Sequence, residues 1–256
     1  MRRLNTAKSL IQLKENNMSR KSYRRGYPVA VLVGVEQNHA ALWQVFSQVA
    51  KHQQNISLNG DRNDSKALYS FHESIINAIR PILKEGIRSI IVTSPSKTDY
   101  SQQFLSHIKG HHNWLLQGPG KTVFSPIIGS ASTPSQVAAL TQTTTFKQLI
   151  NVTTAEETEN LLEILEKRLN TTENLVLFSL QEAEHFIFDT QTEGKPKPEY
   201  LMISDTYLST SRQKYRVQRL MQVAANKGIK TRVISAESIA GKRITQLGGL
   251  VCLMKK

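Results

Sequence analysis

The chain has 256 residues, of which 39% are hydrophobic, a net charge of +13 and one cysteine. This length suffices for one or two domains with buried cores. A lone Cys252 excludes an intramolecular disulfide and speaks against a thiolate zinc site, and no apolar run approaches the roughly 18 residues of a membrane span or makes a secretory segment near the start.

The first 28 residues hold eight Lys or Arg and one acid, a net +7, which leaves +6 for the other 228. Residues 1–27 therefore read as a basic arm, with Arg20, Lys21, Arg24 and Arg25 at its end. Such an arm suits a polyanion. A solvated tail and an organelle-targeting presequence are the alternatives, because the segment is acid-poor and carries apolar Leu4, Leu10, Ile11 and Leu13.

A β-meander is expected next: strands over Val29–Val35 and Ala40–Val49, and a short third one ending at Ile56-Ser57-Leu58. The polar loop Asn59–Asp64 leads to a helix capped by Asp64 or Ser65. Leu68, Phe71, Ile75, Ile76, Ile79, Ile82 and Leu83 recur at helical spacing on one face, and Pro81 should kink or shorten the end. A strand over Ile87–Thr93, a helix from about Asp99 to Ile108, a loop over Lys109–Lys121 and a strand over Thr122–Ile128 follow. Ser132-Thr133-Pro134 starts a helix through Leu140.

The polar link Asn151–Thr154 is the expected boundary between an α/β domain over 28–150 and a second over 151–256. The second opens with a helix from Ala155 to Leu169. It continues with a strand at Leu175–Phe178, a helix at Leu180–Phe188 and the polar loop Thr190–Pro198. Glu199–Ser204, Ile229–Ile234 and Leu250–Met254 read as strands, with a helix between the first two and a turn-rich connector before the last. Gly241, Gly248 and Gly249 are expected to permit tight turns there. The fold class is thus α/β, with two mixed sheets.

The order LMISD (201–205), a long helix, GIKTRVIS (228–235) and GKRITQLGGLVCL (241–253) resembles the C-terminal domain of the Pelota and archaeal/eukaryotic class 1 release factor family. The meander, long helix and strand before Ser94 extend the resemblance to about residues 28–256. It implies a C-terminal domain like kink-turn-binding ribosomal proteins. It also implies the ribosome with ribosomal RNA or tRNA as partners, joined by a translational GTPase and a ribosome-recycling ATPase, in the cytoplasm. Arg20, Lys21, Arg24, Arg25, Arg62, Lys66, Lys242 and Arg243 are the candidate phosphate contacts. The small N-terminal domain of full-length Pelota is expected to have no counterpart in the 27 residues before Pro28.

Three departures shape the activity expected. Release factors carry Gly-Gly-Gln just before the long helix; here residues 59–66 read NGDRNDSK, and the nearest glutamines, Gln53 and Gln54, lie in a strand segment. The basic cluster of Pelota in this loop is reduced to Arg62 and Lys66 beside Asp61 and Asp64. The Ser-Pro-Gly-Phe linked to GTPase docking reads Ser94-Pro95-Ser96-Lys97, which keeps only Ser94 and Pro95.

No other chemistry is well supported. His107, His111 and His112 fall in an expected Gly-rich loop without a neighbouring carboxylate, while metal ligation takes three or four convergent donors, so a solvated loop and no metal are expected. Gly118-Pro119-Gly120-Lys121-Thr122 hints at a phosphate loop, but Leu115 stands where the first glycine of that motif belongs. No cofactor, no catalytic residue and no membrane contact are expected. The reading is a monomeric, non-catalytic translation factor for ribosome rescue or mRNA surveillance. A divergent peptidyl-tRNA hydrolase and an RNA-binding ribosome-biogenesis protein are the alternatives.

Overall fold

A computed structural model describes residues 26–118, 120–173, 175–189 and 197–255. The basic positions Arg20, Lys21, Arg24 and Arg25, and most of the loop over 190–198, lie outside the described residues.

The first sheet is built from β1 (Pro28–Val35), β2 (His39–Phe46), β3 (Ala50–Ser57), β4 (Ser89–Ser94) and β5 (Val123–Ile128), in the order β3-β2-β1-β4-β5. β1, β2 and β3 pair antiparallel, and β1, β4 and β5 pair parallel. The long helix α1 (Ser65–Lys84) crosses from β3 to β4. The central strands are covered on both faces, which is why they read as unbroken apolar runs. Val31, Val33, Val35, Ile90 and Val92 face Phe71, Ile75 and Ile79 of α1. Ala30, Leu32 and Ile91 face the other way, toward Trp43, Val137 and Phe146.

The second sheet holds β6 (Val176–Leu177), β7 (Pro198–Ser204), β8 (Lys230–Ile234) and β9 (Leu250–Met254), in the order β6-β9-β7-β8. One face packs on Ala183, Val217 and Leu220, and the other on Leu161, Leu165 and Ile244. The two mixed α/β sheets expected from the sequence are present.

Several local expectations are corrected. The segment Asn151–Thr154 is no link: it lies inside a 26-residue helix, Thr144–Leu169. With α2 (Tyr100–His111) and α3 (Pro134–Gln142) before it, this helix is α4. Its β-branched and polar residues suggest a break, yet the Thr153 and Thr154 hydroxyls donate back to the carbonyls of Leu149 and Ile150 at 2.7 Å. Burial against both sheets then overrides weak propensity: Phe146 belongs to the first sheet's core and Leu161 and Leu165 to the second's.

The joint is also locked by charge. Arg232 of β8 and Glu157 of α4 are 2% and 1% exposed and pair at 2.8 Å. The Arg232 guanidinium donates to the carbonyls of Pro28 and Val29 at 3.1 Å, and the Ser89 hydroxyl donates to Glu157. One buried network thus touches β1, β4, α4 and β8 and ties the two sheets together across the expected boundary.

Three smaller differences follow the same logic. α1 continues to Lys84 past Pro81, which costs only one backbone donor near the helix end. β3 starts at Ala50, since a strand with one paired side needs few apolar residues. The connector before β9 contains a helix, Ile239–Gln246, capped by Ser238, whose hydroxyl accepts from the Gly241 amide at 3.0 Å. Gly241 is therefore helical; a Cβ there would fall 1.8 Å from the Ser235 carbonyl oxygen. Gly248 and Gly249 do make a left-handed turn, with φ of 104° and 85°.

Candidate functional site

The loop between β3 and α1 is held by its own acids. Asp64 caps α1 by accepting from the Lys66 amide at 2.9 Å, and Asp61 accepts from the Asn63 amide at 2.9 Å. Arg62 is not a free phosphate contact. Its guanidinium donates to the carbonyls of Glu36 and Gln37 at 2.8 and 2.9 Å and stacks 3.7 Å from the Tyr100 ring centre. It clamps the β1–β2 turn to the start of α2. Burial lowers its pKa, against the opposing influence of Tyr100 and Asp99. Gln53 and Gln54 are exposed on β3, where Gln53 donates to the Gln44 side chain at 3.0 Å.

The other basic candidates divide into free and paired. Lys66 and Lys242 are exposed and make no ion pair among the described residues. Arg243 pairs with Glu166 at 2.7 Å. Lys109 and Lys121 border an open cleft of about 420 Å³ between α2 and β5, with Leu105, Phe124 and Glu156 in its walls. Lys121 lies 3.8 Å from Glu156. Thr122 is buried and β5 begins directly after it, so Gly120-Lys121-Thr122 does not open a helix as a phosphate loop does.

Of the two GTPase-docking positions, Ser94 is only 3% exposed, and its hydroxyl donates to Ser101 at 3.0 Å. The Pro95 carbonyl accepts from the Thr98 hydroxyl at 2.7 Å. What the loop presents is Ser96 and Lys97, both exposed, with Lys97 at a φ of 64°.

The histidines are the largest correction. His107 and His111 belong to α2, and His112 is its C-terminal cap, with its amide bonded to the Ile108 carbonyl at 2.8 Å. His112 then opens a 3-10 turn, Asn113–Leu116, whose Leu115 is buried and turns the chain back onto the core. His107 and His112 are buried as well, and Glu73 of α1 lies between them. Its Oε1 is 2.9 Å from His107 Nε2 and 2.6 Å from His112 Nε2. The three donor atoms lie within 4.8 Å of one another.

Burial dominates the electrostatics here. It pushes His107 below its usual pKa despite the bond to Glu73. Burial would raise Glu73, but bonds from His112 and His107 outweigh it and hold the carboxyl low. His72, next to Glu73, is pushed down to about 4 by burial, with His107 and Arg62 adding to the effect, and its buried Nε2 has no hydrogen-bond partner among the described residues. Tyr69 sets its ring edge-on to both His107 and His111. The sequence hid this cluster because Glu73 is 34 residues from His107. The available signal was that His107 lies three residues after Phe104 and one before Ile108, on the buried side of α2.

No known family model and no curated protein sequence matches the chain; solved structures do. A model of ribosome-bound archaeal Pelota and ABCE1 matches over 89% of this chain, with a TM-score of 0.52 and 17% identity, covering 61% of that Pelota chain. Dom34 of S. cerevisiae, a translation termination-like factor involved in RNA quality control pathways and interacting with Hbs1, matches over 88% of this chain and 62% of its own, at 18% identity and a TM-score of 0.47. The archaeal translation termination factor aRF1 matches over 89% of this chain and 62% of its own, at 12% identity and a TM-score of 0.33. The chain thus spans about three fifths of the length of these proteins. What the two sheets and their shared helix define is a class of fold, a pair of mixed α/β layers. It is the fold of archaeal Pelota, as the sequence resemblance implied.

Proposed function

We propose that the chain is a non-catalytic translation factor that binds ribosomes through RNA phosphate and acts in ribosome rescue or mRNA surveillance. The observation that carries this reading is the archaeal Pelota fold over 89% of the chain, together with a β3–α1 loop whose acids and arginine are committed to holding it in place. A release loop has to aim a glutamine and free backbone at an ester. This loop contains no glutamine, and Gln53 and Gln54 point from a strand. Positive charge supplies attraction to phosphate, and the two α/β bodies supply shape.

Exposed Lys66 and Lys242, with the basic arm, are the contacts this reading uses. Partners equivalent to ABCE1 and a translational GTPase belong to the same proposal. A GTPase would meet Ser96 and Lys97 rather than buried Ser94. The protein would act as a monomer in the cytoplasm, where translating ribosomes are.

The test is co-sedimentation with ribosomes across a salt titration, beside a peptide-release assay. Affinity is expected to fall linearly on a log–log plot; Lys66→Gln and Lys242→Gln should each flatten the slope by about 0.7 to 0.9, and deletion of residues 1–25 by that amount for every contact the arm makes. Release should stay at background. Salt-independent binding, pelleting with precursor particles alone, or robust release abolished by Gln53→Ala or Gln54→Ala would overturn the proposal.

A further inference from the structure

We propose that Glu73, His107 and His112 form a mononuclear site for a divalent transition-metal ion of the zinc type, independent of the ribosomal reading. Two buried imidazoles turn their Nε2 atoms toward one carboxylate oxygen, at 2.9 and 2.6 Å. Two histidines and one carboxylate make a donor set that zinc takes with its fourth position left to water or an outside donor. Imidazole nitrogen also favours such ions over calcium or magnesium.

Bond lengths of about 2.0–2.2 Å to nitrogen and oxygen at a tetrahedral angle set neighbouring donors roughly 3.3 Å apart. The Glu73 oxygen now stands 2.9 and 2.6 Å from the two nitrogens, and all three donors lie within 4.8 Å of one another. Binding an ion therefore moves the carboxylate back by about 0.4 to 0.7 Å and draws the two imidazoles toward a common centre. The donors stand on firm supports. Glu73 is on a 20-residue helix, His107 is on α2 beside buried Phe104 and Ile108, and His112 is fixed by the cap and the 3-10 turn. Glu73 is 26% exposed, against 6% and 8% for the two histidine side chains, so the ion has an entrance on the carboxylate side.

Charge supports the assignment. The ion-pair partners of Glu73 among the described residues are the two histidines; no lysine or arginine pairs with it. Among the described residues no lysine or arginine therefore neutralises the Glu73 carboxylate, and a divalent cation would do so. Bound there, the ion would staple α1 to the end of α2. Exposed His111 and Tyr69 stand beside it at the surface, their rings 5.0 Å apart.

The rival arrangement is a plain hydrogen-bonded tie, and one substitution separates the two. In Glu73→Gln the amide oxygen can still accept from an imidazole N–H, so a tie survives, while the anionic ligand is lost. The full-length protein, stripped with a chelator, is titrated with Zn²⁺ and with Co²⁺. Stoichiometry, visible Co²⁺ absorption and melting temperature are recorded. One equivalent should bind, Zn²⁺ should displace the Co²⁺ band, and the melting temperature should rise with metal concentration.

Glu73→Gln and His112→Gln should weaken binding by more than about 100-fold, beyond the 10–100-fold typical of supporting residues. Their metal-free circular dichroism should stay unchanged. His52→Gln, on exposed β3, should bind as the parent does. Failure to form a one-equivalent complex, or a complex that survives in both Glu73→Gln and His112→Gln, would overturn the site. Loss of binding in His52→Gln would do so equally, by placing the ion elsewhere.

Discussion

Replacing Arg232 with methionine tests the buried network that joins the two sheets. The side chain removed is 2% exposed, and with it go the pairing with Glu157 at 2.8 Å and two bonds to the Pro28 and Val29 carbonyls at 3.1 Å. Breaking one side of a buried ion pair costs about 3–5 kcal/mol, because the remaining charge is stranded. The two freed carbonyls would add to this if no water reached them, at about 1–3 kcal/mol each; partial relaxation keeps the expected total at about 4 kcal/mol. At roughly 2–4 °C per kcal/mol for a chain of this size, the melting temperature should fall by about 8–16 °C. The double variant Arg232→Met with Glu157→Leu should recover most of that loss, since an apolar pair of similar volume avoids desolvating either charge. The assay is denaturant unfolding followed by both circular dichroism and tryptophan fluorescence. Trp43 and Trp114 are both in the first half, so fluorescence reports that half alone. In the parent the two probes should coincide; in Arg232→Met they should separate as the halves uncouple. A loss below about 1 kcal/mol, or a double variant no better than the single one, would refute the argument that this pair couples the sheets.

Cys252 is fully buried, and burial raises its thiol pKa to about 12. A thiol reagent at pH 8 should therefore label it only at the rate of unfolding, as followed by absorbance with and without denaturant. Glu199 is held below its usual 4.5: burial would raise it, but bonds from Arg168 and Lys230 outweigh that. A depressed carboxyl contributes stability above its unfolded value and loses it as pH falls through the folded one. The stability gap between the parent and Glu199→Gln, measured by urea titration, should thus be full at neutral pH and close below about 4.5. Gly249→Ala would place its Cβ 2.7 Å from that of Tyr207 at a φ of 85° and should cost at least about 2 kcal/mol in chemical denaturation. Gly228→Ala, with φ of 73° and open space around it, should cost only about 1–2 kcal/mol.

Sequence reading works where one period explains a whole element. The face of α1 from Phe71 to Leu83 and the runs of β1, β4, β7 and β9 each announce the core they build, and Asp64 and Thr133 announce their helix starts. It fails where a side chain answers to something distant. Residues 151–154 look like a joint because Thr, Val and Asn are weak helix formers, and only the packing of two sheets on one helix makes them helical. Arg62 looks like a ligand for phosphate because its carbonyl partners, at Glu36 and Gln37, come from a turn 25 residues earlier. Glu73 is an ordinary charged residue at the margin of an apolar face until α2 brings two histidines to it. Arg232, third in a strand that reads Lys-Thr-Arg-Val-Ile, gives no hint of the network it completes.

The order of strands also governs how a partner can be met. The outermost strands are β3 and β5 in one sheet and β6 and β8 in the other. None of them invites an added strand. β3 carries Lys51-His52-Gln53-Gln54-Asn55, all exposed. β5 holds Pro126, which has no amide to offer, β6 is two residues long, and β8 opens on Lys230-Thr231. Polar, charged or proline-bearing borders of this kind suppress edge-to-edge pairing between chains. Self-association through these borders should therefore be disfavoured, and contacts made there would rely on exposed side chains and loops rather than on backbone zipping.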